Sequence, residues 1–187
     1  MASTPPEPNS ANKAGSIPST THTVGTVYCS PTLDGAVAEG ILRAKKIPAS
    51  RIIAAVQVDG RALVRWQLHV DLDVAALRDP HLRKIGLTSS IHSCTRRDYG
   101  WSRRVAHAIL ARNPHVHGLA YPCRNDTHST ALLLVQRPQG PLTEPGAYSL
   151  VDMRAPVRDA SLRYDIARAV FISAGVVLAE PNPEDEE

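Results

Sequence analysis

Apolar and polar positions along the chain alternate in some stretches and recur three or four residues apart in others. Thr23 to Cys29 is a short β-prone run that predicts a first strand. Ser30-Pro31-Thr32 reads as a helix start, and a helix is predicted from about Leu33 to Lys45, with Ala36, Val37, Gly40 and Ile41 on its inner face. Lys45-Lys46 suit the negative end of its dipole, and Pro48 stops it. Arg51 to Val58 is rich in β-branched residues and predicts a strand; Asp59-Gly60 then predicts a hairpin turn into a second strand over Arg61 to Val70. Asp71 to Leu87 predicts two short helical turns broken at Pro80. Trp101 to Arg112 is an amphipathic helix with Trp101, Val105, Ala108 and Ile109 on one face, ended by Asn113-Pro114. Val116 to Tyr121 and Thr130 to Gln136 read as strands, and Arg158 to Ser173 as the last helix. Strand pairs mixed with helices, without regular βαβ alternation, predict an α+β fold.

The ends differ from this body. Residues 1 to 20 hold almost no large apolar side chain and predict a disordered N-terminal tail. Residues 179–187 read as an acidic C-terminal tail, which leaves one domain over 21–178. At 187 residues with 43% hydrophobic content, that domain can bury a core of its own. Aromatic residues make up only 4%, so Val, Leu, Ile and Ala must supply the core.

The net charge of +3 is too small to act as a nucleic-acid footprint. The predicted helix carrying Arg103, Arg104, His107 and Arg112 reads as a solvated basic face ahead of a groove-binding one. Cys29, Cys94 and Cys123 form no CxxC pair, so neither a disulfide framework nor a zinc site is expected, and reduced thiols suit the cytoplasm. No apolar run of about 18 residues suggests a membrane span, and no signal-peptide pattern opens the chain. His115 and His117 have a spacing that can bind metal, but no further ligands accompany them, so no metal is expected. The phosphate cradles GxGxxG and GxxxxGK[ST], the HExxH helix and the GxSxG elbow are all missing.

Four segments carry the chemistry. VGTVYCSPTLDGAVAEGIL sets Tyr28 at a strand end and Glu39 eleven residues on, inside a helix; DLDVAALRDPHLRKIGL, DYGWSRRVAHAIL and the corner HGLAYPCRND follow. In this order they resemble the RES domain family, from about Val24 to about Arg137. The resemblance implies an ADP-ribosyltransferase-like fold with a mixed central sheet flanked by helices. It implies a toxin of a toxin–antitoxin pair that consumes NAD as substrate, by hydrolysis or phosphorolysis. It makes Glu39 and Tyr28 catalytic, with Tyr28 at the nicotinamide end, and gives Cys123, Arg124, Tyr99 and Ser102 contacts to NAD. It implies an antitoxin as protein partner, no cofactor, and is compatible with a homodimer.

The physical roles agree with the set. Cleaving the nicotinamide–ribose bond builds positive charge on the ribose, which a carboxylate stabilises. A phenol ring offers a face to the nicotinamide, and arginines hold a pyrophosphate bidentately. Two departures stand out. The first arginine in the chain is Arg43, so the family's upstream arginines have no counterpart, and Lys13 is the only earlier cation. Cys123 replaces the family's serine. These departures leave open a second reading: a RES domain that keeps a protein-binding surface without turnover.

Overall fold

The computed structural model describes residues 25–43, 45–93 and 96–179. The expected tails, apart from Ala179, lie outside these, as do Lys13 and Cys94.

Strand β1 (Gly25–Cys29) leads into α1 (Leu33–Val37), which continues as a π-helical turn over Ala38–Leu42. Thr32 caps α1: its Oγ1 accepts from the Gly35 amide at 3.2 Å. Then come β2 (Ile52–Ala54), α2 (Val56–Asp59), β3 (Leu63–Leu68) and β4 (Val74–Ala76). The short helices α3 (His81–Lys84) and α4 (Ser90–Ser93) precede the long α5 (Tyr99–Arg112). β5 (Gly118–Pro122), β6 (Thr130–Gln136), β7 (Tyr148–Arg154), α6 (Ala160–Ala174) and β8 (Val177–Ala179) complete the order.

The fold is α+β, as expected, and its main sheet is mixed. Four strands run in the order β1-β6-β5-β4, with β1–β6 and β6–β5 antiparallel and β5–β4 parallel. Two smaller sheets stand beside it: β2 with β8, parallel, and β3 with β7, antiparallel.

Two cores flank the segment that carries Glu39. One gathers Ile41, Leu42, Val58, Leu162 and Val170; the other gathers Ala38, Leu82, Leu119, Tyr121 and Cys123 against the inner face of α5. Val37 enters the first core and its neighbour Ala38 the second. The helix is therefore gripped from both sides, and Glu39 is fixed between them. Gly35 permits this approach, because a side chain there would collide with Ser30 and come within 3.2 Å of Ser129 Cβ.

Several expectations need correction. The strand predicted over Arg51 to Val58 stops at Ala54, and a helical turn follows, closed by Val58 N–H on Ala55 O at 2.8 Å. Ile53 and Val58 both enter the first core. Strand alternation would send them to opposite faces, and the turn rotates Val58 back. Asp59-Gly60 is accordingly no hairpin, since β2 pairs with β8 and β3 with β7. The two helical turns predicted over Asp71 to Leu87 are instead strand β4, parallel to β5, and the single turn α3. β7 carries no assignment in the sequence reading, because a bulge at Arg65/Trp66 breaks its alternation. Gly40, placed on the inner face of the first helix, is exposed. The π-helical turn shifts the phase, so Ala38 and Leu42 are buried instead. On α5 the inward residues are Val105, Ala106, Ile109 and Leu110, while Trp101 and Ala108 are exposed.

Candidate active site

A cleft of about 440 Å³ opens where β1, the π-helical turn and the start of α5 converge. Its wall includes Tyr28, Glu39, Arg43, Tyr99, Ser102 and Arg103. The volume falls in the range of small-molecule sites, roughly 300–1,000 Å³.

Each side chain arrives by a distinct route. Tyr28 pairs with Leu133 across β1–β6, and 64% of it remains open to the cleft and solvent. Glu39 lies in the π-helical turn, a device found often at functional sites. Tyr99 and Ser102 occupy the first turn of α5, where Ser102 Oγ donates to Tyr99 O at 3.1 Å. The far end of α5 is anchored by Arg137, whose Nη2 donates to Leu110 O at 2.7 Å and whose Nε donates to Val116 O at 3.1 Å.

Glu39 is the electrostatic centre, with only 9% of its side chain exposed. Arg43, one turn on, forms an ion pair with its Oε2. Tyr121 Oη donates to the same oxygen at 3.4 Å, and the Arg124 amide reaches Oε1 at 3.4 Å. The Arg43 guanidinium sits 5.6 Å from the Tyr121 ring centre and 5.9 Å from that of Tyr99, two cation–π contacts. Burial works against its charge, but the hydrogen bond and field of Glu39 outweigh it, so the guanidinium is held above its ordinary value. Burial, followed by the field of Glu39, pushes the Tyr121 phenol up, so it stays a neutral donor. Cys29, also on the wall, is raised by burial.

Four of the six expected site residues therefore meet in one cleft: Tyr28, Glu39, Tyr99 and Ser102. The other two stand elsewhere. Cys123 is fully buried behind the cleft, its thiol 3.8 Å from Gly35 O and pushed up to about 12 by burial and then by the Glu39 and Asp126 charges. Arg124 is exposed and approaches Glu39 through its backbone N–H, a contact open to any residue but proline.

Two residues that contact Glu39 escaped the sequence reading. Tyr121 lies within the same GLAYPCR corner, and its place two residues before Cys123 was the available signal. Arg43 stands four residues after Glu39, the spacing of a helical ion pair, which links it to the carboxylate. With Arg103 it supplies cations to the cleft from downstream of Tyr28, so the cleft is not without arginine. The remaining basic residues of α5, Arg104, His107 and Arg112, are exposed. Among the described residues no group of three or more His, Cys, Asp or Glu is placed to hold a metal, and no helix is long and apolar enough to cross a membrane.

The chain matches the family model for the RES domain over residues 2–155. That match extends upstream of the resemblance noted from Val24, into the segment expected to be a tail. No match to a curated protein or to a solved structure is found.

Proposed function

Because this chain belongs to the RES domain family, we propose that it consumes NAD by cleaving the nicotinamide–ribose bond in the cleft around Glu39. The observation that carries this reading is the meeting of one shielded carboxylate, the open Tyr28 ring, the half-buried Tyr99 ring and two arginines in one cleft.

In the proposed reaction the bond from the nicotinamide nitrogen to the ribose breaks with its electron pair leaving on nicotinamide. Positive charge grows on the ribose, and the Glu39 carboxylate, fixed beforehand by Arg43, Tyr121 and the Arg124 amide, stabilises it. Water or phosphate then bonds to the ribose carbon, and its proton passes to solvent or to Glu39. Tyr28 stacks on nicotinamide, and Tyr99 lines the same cleft. Arg43 and Arg103 are the cations placed to meet the pyrophosphate. A cytoplasmic toxin of this kind takes a small antitoxin that covers the cleft.

One observation favours a second reading. No arginine precedes Arg43, which fits a domain that keeps the fold and the antitoxin surface without turnover.

Nicotinamide release from NAD separates the two. Purified chain is incubated with NAD, with and without phosphate, beside Glu39→Gln. Removing a preorganised charge of this type costs about 10²–10³ in rate. Release by the wild type that falls by that factor in Glu39→Gln supports turnover. No release from the wild type in either buffer rejects it.

A further inference from the structure

The β3–β7 ribbon presents a face that nothing in the cleft uses. Its register sets Val64 opposite Met153, Trp66 opposite Leu150 and Leu68 opposite Tyr148. Directly paired residues project from the same side, so these six share one face. Trp66 and Tyr148 stack across it with ring centres 5.6 Å apart. Every one of the six is open, with exposures from 40% to 68%. The reverse face is mostly polar: Arg65 pairs with Asp152 at 2.7 Å and Gln67 lies beside them, while Leu63 at its end packs on the first core.

A two-stranded ribbon is marginal in water until a further layer covers its apolar side. The six side chains expose on the order of 600 Å² together, at the upper limit of the largest patch on an ordinary monomer. Among the described residues, none covers this face. Segments 1–24 and 180–187 contain only Met1, Ile17 and Val24 as large apolar side chains, too few for a six-residue face.

Charge narrows the occupant. None of the six is charged; behind them Arg65 and Asp152 cancel, and Arg154 is paired with Asp159. The ribbon thus carries no net field to select an acidic or a basic partner. A second copy of the same face matches it in length, apolarity and neutrality, and a two-fold axis makes such a patch complementary to itself. We infer that the chain forms a homodimer by stacking two β3–β7 ribbons face to face. The two faces together bury about 1,200 Å², the lower end of specific protein interfaces, and side chains interdigitate across the roughly 10 Å that separates packed sheets. That area predicts a reversible dimer. None of the six residues lines the cleft, so the pairing is independent of the proposed turnover.

Sedimentation velocity on the purified full chain, from low micromolar to several hundred micromolar, tests this. The wild type should pass from monomer to dimer. Leu150→Glu and Met153→Glu, with unchanged circular dichroism, should stay monomeric throughout. Gln67→Glu, on the reverse face, should dimerise like the wild type. If the glutamate variants do not fold, Met153→Gln removes apolar surface without adding a charge and should weaken the dimer at least tenfold. A wild type that is monomeric at every concentration overturns the inference. So does a dimer that the Leu150 and Met153 variants leave intact. A monomer that instead binds phosphatidylcholine vesicles or a different purified protein through this face also overturns it, assigning the face to that occupant.

Discussion

Replacing Tyr121 with phenylalanine removes one oxygen from the site and leaves its packing unchanged. The ring is 7% exposed and belongs to the second core. Its hydroxyl accepts from Arg43 Nη1 at 3.1 Å and donates to Glu39 Oε2 at 3.4 Å. A hydrogen bond to a charged group contributes about 1.5–3 kcal/mol. The longer contact adds little, so one such bond is at stake. Arg43 keeps 25% of its side chain in contact with solvent, and water replaces part of what is lost, which brings the cost to the bottom of that range or just under it, about 1–2 kcal/mol. For a chain of 187 residues that lowers the melting temperature by about 2–8 °C. Thermal unfolding followed by circular dichroism reads the shift. Tyr28→Phe, which removes a hydroxyl from an exposed ring, should change stability by no more than about 0.5 kcal/mol. If Tyr121→Phe melts within one degree of Tyr28→Phe, the hydroxyl does not brace the Glu39–Arg43 pair.

Two further outcomes follow. Leu42→Ala empties a fully buried position beside the Glu39 turn, and it should cost about 2–5 kcal/mol in urea unfolding; a loss below 1 kcal/mol would show that the first core does not grip this turn. The Cys123 thiol keeps its proton to about 12 when folded against 9.0 in the unfolded chain, so the unfolded state binds fewer protons in between. Stability should therefore fall as pH rises from 9 towards 12, by at most about 1.4 kcal/mol per unit. Cys123→Ala, compared at pH 8 and pH 10 by urea titration, should lack that part of the slope.

Local pattern carried the sequence reading furthest where an element satisfies itself. α5, α6, β5 and β6 were legible because their periodicity and end signals act within one segment. The β2–α2 region misled, because burial of both Ile53 and Val58 in one core overrode a β-branched run that any propensity scale favours. β7 was hidden by its bulge, which exists only against a partner strand. At the site, Tyr28 and Glu39 could be picked out by spacing and motif order. Tyr121 and Arg43 could not, since a tyrosine and an arginine acquire their roles here only through the carboxylate they touch.

By itself the sequence determined the fold class, the family and one half of the cleft, because period, turn residues and motif order are properties of neighbours in the chain. The tertiary structure alone decided the other half. Tyr121 lies 82 positions from Glu39 along the chain and 3.4 Å away in space. It decided equally that Cys123 is buried behind the wall rather than on it, and that the β3–β7 ribbon leaves its apolar face open. Burial and pairing are settled between segments distant in sequence, and no local pattern encodes which of them will meet.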